Sequence, residues 1–327
     1  MSLDDVTAKP HDRLAKALAD EMAQVNDMIR ARMVSEHAPR IPEVTAHLVE
    51  AGGKRIRPMM TLAAAKMCGY DGPYHINLAA TVEFIHTATL LHDDVVDESS
   101  QRRGRATANL LWDNKSSILV GDYLFARAFQ LMVEAESLTV LDILSNASAT
   151  IAEGEVLQMT AAQDLETDEA TYLKVVRGKT AALFSAATEV GGVIANAPAE
   201  HTKALFDFGD ALGISFQIVD DLLDYDGSLA IGKNIGDDFR ERKLTLPVIK
   251  AVAMADAEER AFWVKTIEKG KQDDGDFEHA LSLLKKHDTL YATRTEALEW
   301  RDKAKASLSI IPQSELRDML LDLADYV

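Results

Sequence analysis

Cysteine and long apolar runs are nearly absent from this sequence of 327 residues. Its single cysteine, Cys68, excludes a disulfide within the chain and favours a reducing compartment, so we expect a cytoplasmic protein. No apolar run approaches the roughly 18 residues that a membrane-spanning helix needs, and stable membrane insertion is therefore not expected. The polar, acid-containing start MSLDDVTAKPHDRLAK resembles neither a signal peptide nor a transit peptide.

Positively charged residues are far fewer than negatively charged ones. The chain has 35 Lys and Arg against 53 Asp and Glu, a formal net charge of −18. This balance argues against nucleic acid as a partner and against docking on an anionic membrane, because both need a basic face. An acidic protein that binds an anionic substrate must gather its cations locally or recruit metal ions.

Proline and strand-like alternation are also rare. No proline lies between Pro73 and Pro198, and apolar residues make up 47% of the chain. Abundant Ala, Leu, Met, Glu, Lys and Arg favour helices, so residues 1–327 are predicted to form a single all-α domain. The pattern predicts breaks at 36–43 and 69–73, a long helix from about Ile76 into Glu98, and a polar loop from Ser99. Further helices should start near 116, 138 and 169, with a flexible loop at 226–238.

Familiar catalytic motifs are missing too. The sequence has no G-x-S-x-G elbow, no Walker A loop and no dinucleotide-binding glycine fingerprint. Cys68 lies in a predicted core helix, where a small hydrophobic role fits better than a nucleophilic one. The chemistry must therefore come from other residues.

An acidic cluster ends the long predicted helix, in the segment LLHDDVVDES at 90–99. Asp93 and Asp97 are four residues apart and share one helix face, and Asp94 is adjacent. Carboxylates this close raise one another's pKa unless a cation lies between them. Mg²⁺ prefers one or two carboxylates together with substrate phosphates, which makes it the expected ion. Alone, such a cluster also fits a solvated acidic helix end.

The pattern recurs in FQIVDDLLDYDG at 216–227, with Asp220, Asp221 and Asp224. Both clusters follow apolar helical stretches that should be buried. Two acidic helix faces directed into a bundle require cations, and bundle interiors commonly hold metal sites. The repeat therefore favours metal binding over a solvated surface.

Basic residues accompany each acidic cluster. They occur in GGKRIRP (52–58), QRRGR (101–105), RGKTAALF (177–184) and IGKNIGDDFRERKLTLP (231–247). Arg102 and Arg103 carry forked donors that suit diphosphate oxygens. Carboxylates, metal ions and cations in this combination predict a diphosphate site.

In this order the motifs GGKRIRP, HDDVVDES, RRG, GKT, FQIVDDLLD and GK…KLTLP resemble the trans-polyprenyl diphosphate synthases. The resemblance covers roughly residues 50–250. The stretch EFIHTATLLHDDVVDES is similar to long-chain bacterial members, which make octaprenyl or decaprenyl diphosphate for quinone side chains. The resemblance implies a homodimer whose subunit is a bundle of mostly antiparallel helices around a central cavity.

The resemblance also implies a reaction and a role for each motif residue. Isopentenyl diphosphate would be joined to an allylic diphosphate, such as farnesyl diphosphate, with three Mg²⁺ ions per active site assisting ionisation. The metal ligands would be Asp93, Asp97 and Asp220, supported by Asp94, Asp221 and Asp224. The allylic diphosphate would contact Arg102, Lys179, Thr180, Gln217, Lys233 and Lys243. Isopentenyl diphosphate would contact Lys54, Arg57, His86 and Arg103.

Product length should depend on an apolar tunnel beside the first acidic cluster. Short-chain members of the family place a bulky aromatic residue at one or both positions that correspond to Ala88 and Thr89. Both residues are small here, so the tunnel should remain open beyond the farnesyl length, to about C40–C50. Phe84 and Ile85 lie one turn further along the same stripe, where ordinary core packing is the alternative. Phe129 and Met132 are candidates for the tunnel floor.

Other interpretations remain open. A class I terpene cyclase shares the fold but usually lacks the second acidic motif and GGKRIRP. A farnesyl or geranylgeranyl synthase fits the motifs but not Ala88 and Thr89. A non-catalytic subunit of a heteromeric synthase would be expected to lose motif residues, whereas all are intact here. A purely structural acidic protein would need no ordered cations beside both clusters.

Overall fold

The computed structural model describes residues 9–50, 52–226 and 235–326, and these residues are overwhelmingly helical. The all-α prediction is confirmed. The first α-helices are α1 Pro10–Ala17, α2 Ala19–Arg32, α3 Arg40–Glu50, α4 Ile56–Met67, α5 Tyr74–Val96, α6 Ala108–Leu111, α7 Asn114–Glu134, α8 Leu138–Ala161 and α9 Glu169–Val176. The remaining ones are α10 Ala182–Ile194, α11 Ala199–Leu223, α12 Asp237–Arg240, α13 Leu246–Met254, α14 Ala257–Trp263, α15 Asp276–Lys286, α16 Thr289–Ser307 and α17 Glu315–Tyr326. Short π-helical turns occupy Arg177–Ala181 and Val264–Glu268, and a 3₁₀ turn occupies Leu308–Ile310.

The predicted boundaries hold closely except near Pro42 and at the end of the loop predicted over 226–238. In that loop residues 227–234 lie outside the described residues, and Asp237 already begins α12. Helices predicted to start near 116, 138 and 169 begin at Asn114, Leu138 and Glu169. The break predicted over 36–43 is wrong in its second half, because α3 already begins at Arg40. Pro42 lies in the first turn of α3, where backbone N–H groups have no partner within the helix.

A small hairpin replaces part of the predicted polar loop. Strands β1 Gln101–Arg102 and β2 Arg105–Ala106 pair antiparallel around Arg103 and Gly104. Both turn residues have positive φ, 52° and 74°. This is the geometry of a two-residue hairpin turn, which sequence inspection missed because each strand has only two residues and arginine rarely adopts it.

The described chain divides into two compact units. The first comprises 1–148, 183–206 and 308–326, apart from residues outside the described ranges. In it α5 packs against α7, α4 and α2, and buries large side chains such as Phe84 and Ile85. Helices α10 and α4 meet at Gly191, where an added Cβ would lie 2.7 Å from the Ala64 Cβ. Only glycine permits this close approach.

The second unit comprises 149–182 and 207–307. Its core contains the fully buried Trp263 and Ile267 beside Val248 of α13, and a second cluster gathers Ile214 and Ile218 of α11 around Tyr172. Helix α13 packs against α9, α15 and α16. The prediction that residues 1–327 form one domain stays a prediction.

Across residues 9–50, 52–226 and 235–326, no helix is both long enough and apolar enough to cross a bilayer.

Candidate active site

The first acidic cluster lies at the C-terminal end of α5, as predicted. Asp93 and Asp94 are in its last turn, and Asp97 is the C-cap residue, whose N–H donates to the Asp93 carbonyl at 2.8 Å. Asp93 and Asp97 are half-buried, whereas Asp94 is fully buried. Because helix C-termini carry partial negative charge, three carboxylates here are unfavourable without a cation.

The buried member of the cluster is bound to the hairpin. Arg102 Nε donates to Asp94 Oδ1 at 2.8 Å, and its Nη2 lies at the same distance from that oxygen. Burial raises the pKa of Asp94, and Arg102 acts in the opposite direction. Asp94 therefore holds Arg102 in place, a role that the sequence did not indicate.

A neutral histidine lies among the arginines of the same unit. Arg57 Nη1 is 3.4 Å from His86 Nε2, and the Arg57 guanidinium stacks 4.3 Å from the centre of the Phe184 ring. Desolvation, followed by the charges of Arg57 and Arg103, lowers the pKa of His86 well below its ordinary value. Since arginine can only donate, Nε2 accepts and Nδ1 carries the proton. Burial likewise lowers the pKa of Arg57 to about 10.

A polar pocket adjoins these residues. Its volume is about 460 Å³ including space open to solvent, and it is lined by residues such as Arg55, Glu83, Asp94, Arg102 and Arg103. Arg55 has a left-handed backbone, φ 50°, and its guanidinium hydrogen-bonds to the buried Glu83. This contact anchors the GGKRIRP segment to α5. Glu83 was missed because a single glutamate in an apolar helix carries no motif.

Lys54 of the same segment is exposed. Its ammonium lies 5.4 Å from the centre of the Tyr326 ring in α17. Arg103 is also exposed, at the hairpin turn. Within their unit, Arg57, His86, Arg102 and Arg103 are thus brought together, and Lys54 contacts the C-terminal helix.

The second acidic cluster lies at the end of α11. Asp221 is buried and accepts two hydrogen bonds, from the Tyr172 hydroxyl at 2.6 Å and from Gln217 Nε2 at 2.8 Å. The Thr180 hydroxyl donates to Gln217 Oε1 at 2.7 Å. Burial raises the pKa of Asp221 to about 7, opposed by both donors and assisted by the Asp220 charge. The predicted pair Thr180 and Gln217 is therefore joined to Asp221 by one hydrogen-bonded chain that ends at Tyr172.

Asp224 organises the segment that follows. Its carboxylate accepts the N–H groups of Asp237 at 3.2 Å and Asp238 at 3.0 Å, at the start of α12. Burial and the charges of Asp221 and Asp224 raise the pKa of Asp238 to about 8. Asp238 is thus a fourth carboxylate of this cluster. The triplet GDD at 236–238 was a signal for it, but Asp238 lies outside the D-D-x-x-D spacing that defined the cluster in the sequence.

The predicted lysines are paired with acids. Lys179 Nζ is 2.9 Å from Glu155 Oε2, and Lys243 Nζ is 2.6 Å from Glu241 Oε2. Lys233 lies outside the described residues. Lys179 and Thr180 belong to the π-helical turn Arg177–Ala181, a distortion that often marks functional positions.

The carboxylates fit Mg²⁺ in their chemistry. Their donors are all oxygen, and Asp94 Oδ2 is buried without a partner among the described residues. Burial first, and neighbouring carboxylates second, raise the pKa values of Asp221 and Asp238, and a bound cation would offset both effects. Within the described ranges, no three His, Cys, Asp or Glu side chains form a complete metal cage. Mg²⁺ needs no such cage, because it takes few protein ligands and completes its octahedron with phosphate and water.

The residues predicted to line the tunnel differ in how deeply their side chains are buried. Phe84, Ile85, Ala88 and Met132 are buried, and the half-buried Thr89 donates its hydroxyl to the His86 carbonyl at 2.8 Å. Phe129 is 42% exposed on α7. This exposure argues against Phe129 as part of a tunnel floor formed within a single chain.

The family model of the polyprenyl synthetases matches residues 38–284. The chain is 44% identical to the octaprenyl diphosphate synthase of Escherichia coli, over 96% of this chain and 97% of that protein. Its structure resembles the crystal structure of a decaprenyl diphosphate synthase from Rhodobacter capsulatus, with a TM-score of 0.95, 72% identity, and coverage of 97% of this chain and 98% of that one.

A second solved relative carries ligands. The polyprenyl synthase of Caulobacter crescentus, in complex with calcium and isoprenyl diphosphate, has a TM-score of 0.91, 48% identity, and coverage of 97% of this chain and 96% of that chain. Sequence and fold similarity thus extend over nearly the whole length of both proteins. The chain belongs to the polyprenyl synthetase family.

Proposed function

We propose that this protein is a long-chain trans-prenyltransferase that condenses isopentenyl diphosphate onto an allylic diphosphate such as farnesyl diphosphate. The observation that carries the proposal is the pair of acidic helix ends, each accompanied by cations, in a member of this family. A class I cyclase needs no second diphosphate site, and the intact motifs argue against a non-catalytic subunit.

Asp93, Asp97 and Asp220 would hold Mg²⁺, about three ions per site, supported by Asp94, Asp221 and Asp224. When bound, Mg²⁺ neutralises charge on the leaving diphosphate. Asp94 keeps the fork of Arg102 oriented, and Asp221 keeps Gln217 and Thr180 in place. Arg102, Lys179, Thr180, Gln217, Lys233 and Lys243 would bind the allylic diphosphate. Preorganised donors of this kind stabilise developing negative charge without reorganising during the reaction.

The arginine cluster would bind isopentenyl diphosphate through Lys54, Arg57 and Arg103. The neutral His86 can donate from Nδ1 while its Nε2 accepts from Arg57. Attack of the isopentenyl double bond on the allylic cation would form the new carbon–carbon bond. A proton then leaves, in our proposal to the released diphosphate. Water must be excluded throughout, because it would quench the cation.

The small residues Ala88 and Thr89 support a product of about C40–C50, which would suit a quinone side chain. Helix α7 presents exposed apolar side chains, among them Ile118, Leu119, Phe129 and Val133. Such a face favours burial against a second copy, as in a homodimer. We further propose that the enzyme works in the cytoplasm.

One assay tests the activity. Purified protein is incubated with radiolabelled isopentenyl diphosphate and farnesyl diphosphate, with and without EDTA, and butanol-extractable label is counted. We expect label that depends on Mg²⁺, and chromatography of the dephosphorylated product gives its length. The Asp93→Ala, Asp220→Ala double variant should lose the label, whereas Asp142→Ala, at an exposed position of α8, should retain it. Full turnover by the double variant would refute the proposal.

A further inference from the structure

Lys179 is a proposed diphosphate ligand, yet it lies beside a carboxylate. Its Nζ is 2.9 Å from Oε2 of Glu155 in α8, and both side chains are mostly shielded, with 25% and 21% exposed. A negative charge this near to an anionic substrate should weaken binding unless it has another role. The pair therefore needs an explanation.

The backbones of the two residues are fixed against each other. An ideal Cβ on Gly154 would lie 2.7 Å from the Lys179 nitrogen, and one on Gly178 would lie 2.7 Å from the Gly154 Cα. Only glycine at both positions permits this contact. Lys179 itself belongs to the π-helical turn, and its Nζ reaches Glu155 Oε2 at 2.9 Å. Helix α8 thus sets both the backbone and the side chain of Lys179.

The carboxylate is not an ordinary surface partner. Glu155 Oε1 is buried and has no hydrogen-bond partner in the part of the chain that the structure describes, whereas Oε2 accepts from Lys179 Nζ. A partly unsatisfied buried acceptor is unfavourable and is seldom retained without a role. Glu153, two residues earlier, is exposed and offers a comparison.

We infer that Glu155 is a positioning residue that holds the Lys179 ammonium in the orientation needed to bind the allylic diphosphate. The inference rests on the proposed function, in which Lys179 is a ligand of that diphosphate. Lysine is a point charge on a flexible four-carbon stem, so an unrestrained ammonium must be ordered when substrate binds. An ammonium has three N–H donors, and one bond to Glu155 leaves two for phosphate oxygens.

Glu155 could act through its negative charge alone or by positioning Lys179, and the two roles predict opposite changes in the KM of Glu155→Ala for farnesyl diphosphate. If Glu155 acted only through its charge, its removal would lower the KM for farnesyl diphosphate. If it positions Lys179, its removal raises that KM about tenfold, a size typical of coupling between contacting residues. The KM for isopentenyl diphosphate should not change. Glu155→Gln keeps an acceptor oxygen and should recover most of the loss, and Glu153→Gln should behave as the unaltered enzyme.

A double-mutant cycle with Lys179→Ala separates this inference from the proposed function. We expect Lys179→Ala to raise the KM for farnesyl diphosphate, and Glu155→Ala to add nothing in that background. An unchanged Lys179→Ala enzyme would refute the role of Lys179 in the proposed function. If Lys179→Ala is impaired but Glu155→Ala is silent, additive with Lys179→Ala or tighter in binding, only the positioning inference is overturned. If Glu155→Ala does not fold, Glu155→Asp decides the matter: it keeps the charge but withdraws the carboxylate by one methylene, so positioning predicts a raised KM and charge alone an unchanged one.

Discussion

Asp94 Oδ1 accepts a hydrogen bond from Arg102 Nε, with 2.8 Å between the two atoms, and Asp94 is fully buried at the end of α5. Asp94, the second of the three aspartates in this motif, thus binds the Arg102 guanidinium and is shielded from solvent. The same arrangement occurs at the second cluster, where buried Asp221 holds Gln217. In both clusters a buried aspartate orients a proposed substrate ligand, and half-buried aspartates flank it.

Arg102→Lys should lower kcat/KM for the allylic substrate about 10- to 100-fold. Lysine keeps the charge but cannot place two nitrogens on Asp94 and still present a fork to diphosphate. Steady-state kinetics with varied farnesyl diphosphate measures the effect. Arg105→Lys, at an exposed position of the same hairpin, is the matched control and should change little. Equal activity of Arg102→Lys and Arg105→Lys would contradict the prediction.

Tyr172→Phe should destabilise the protein by about 1 to 3 kcal/mol, because Asp221 loses a buried hydrogen-bond donor. Urea unfolding of the variant and the unaltered protein measures the difference. Tyr291→Phe provides the control, since Tyr291 is 68% exposed and its substitution should have little effect. A Tyr172→Phe midpoint equal to that of the control would show that the bond contributes nothing to stability.

Ala88→Phe should shorten the product. Ala88 is fully buried beside the acidic end of α5, and a phenyl ring there would obstruct an apolar tunnel. Overpacking should also cost about 1 to 3 kcal/mol, so the unfolding midpoint must be recorded with the product profile. Ala257→Phe, at an exposed position, is the control. An unchanged chain length from folded Ala88→Phe would show that Ala88 does not line the tunnel.

Glu259 should make stability depend on pH in the acid range. Hydrogen bonds from Lys286 and His287 lower the pKa of Glu259 to about 2 from an ordinary 4.5. Because the folded pKa is depressed, the stabilisation is fully present above pH 4.5 and is lost as pH falls through about 2.

Unfolding of Glu259→Gln measured at pH 7 and pH 3 tests this. The variant should be less stable than the unaltered protein at pH 7, and the difference should shrink at pH 3. Glu258→Gln, an exposed neighbour, should show neither effect. If the stability deficit of Glu259→Gln were larger at pH 3 than at pH 7, the pKa of Glu259 could not be lowered in the folded protein.

Local features were predictable from the amino-acid sequence. The helices could be predicted because composition and periodicity are properties of neighbouring residues. The acidic clusters also lie at helix ends, as their spacing indicated. Pro42 misled the prediction, since proline both breaks helices and suits their first turn. The hairpin at 101–106 escaped notice because two-residue strands carry no periodicity.

The sequence by itself thus determined the helical class, the family and which residue types carry charge. Only the tertiary structure decided what those charges contact. The partners of Lys179 and Asp221, Glu155 and Tyr172, are 24 and 49 residues away in the chain, and no local pattern encodes such distances. The burial of Asp94 and the exposure of Phe129 likewise depend on how helices pack, because a hydrogen bond or a buried surface forms between segments that the sequence leaves far apart.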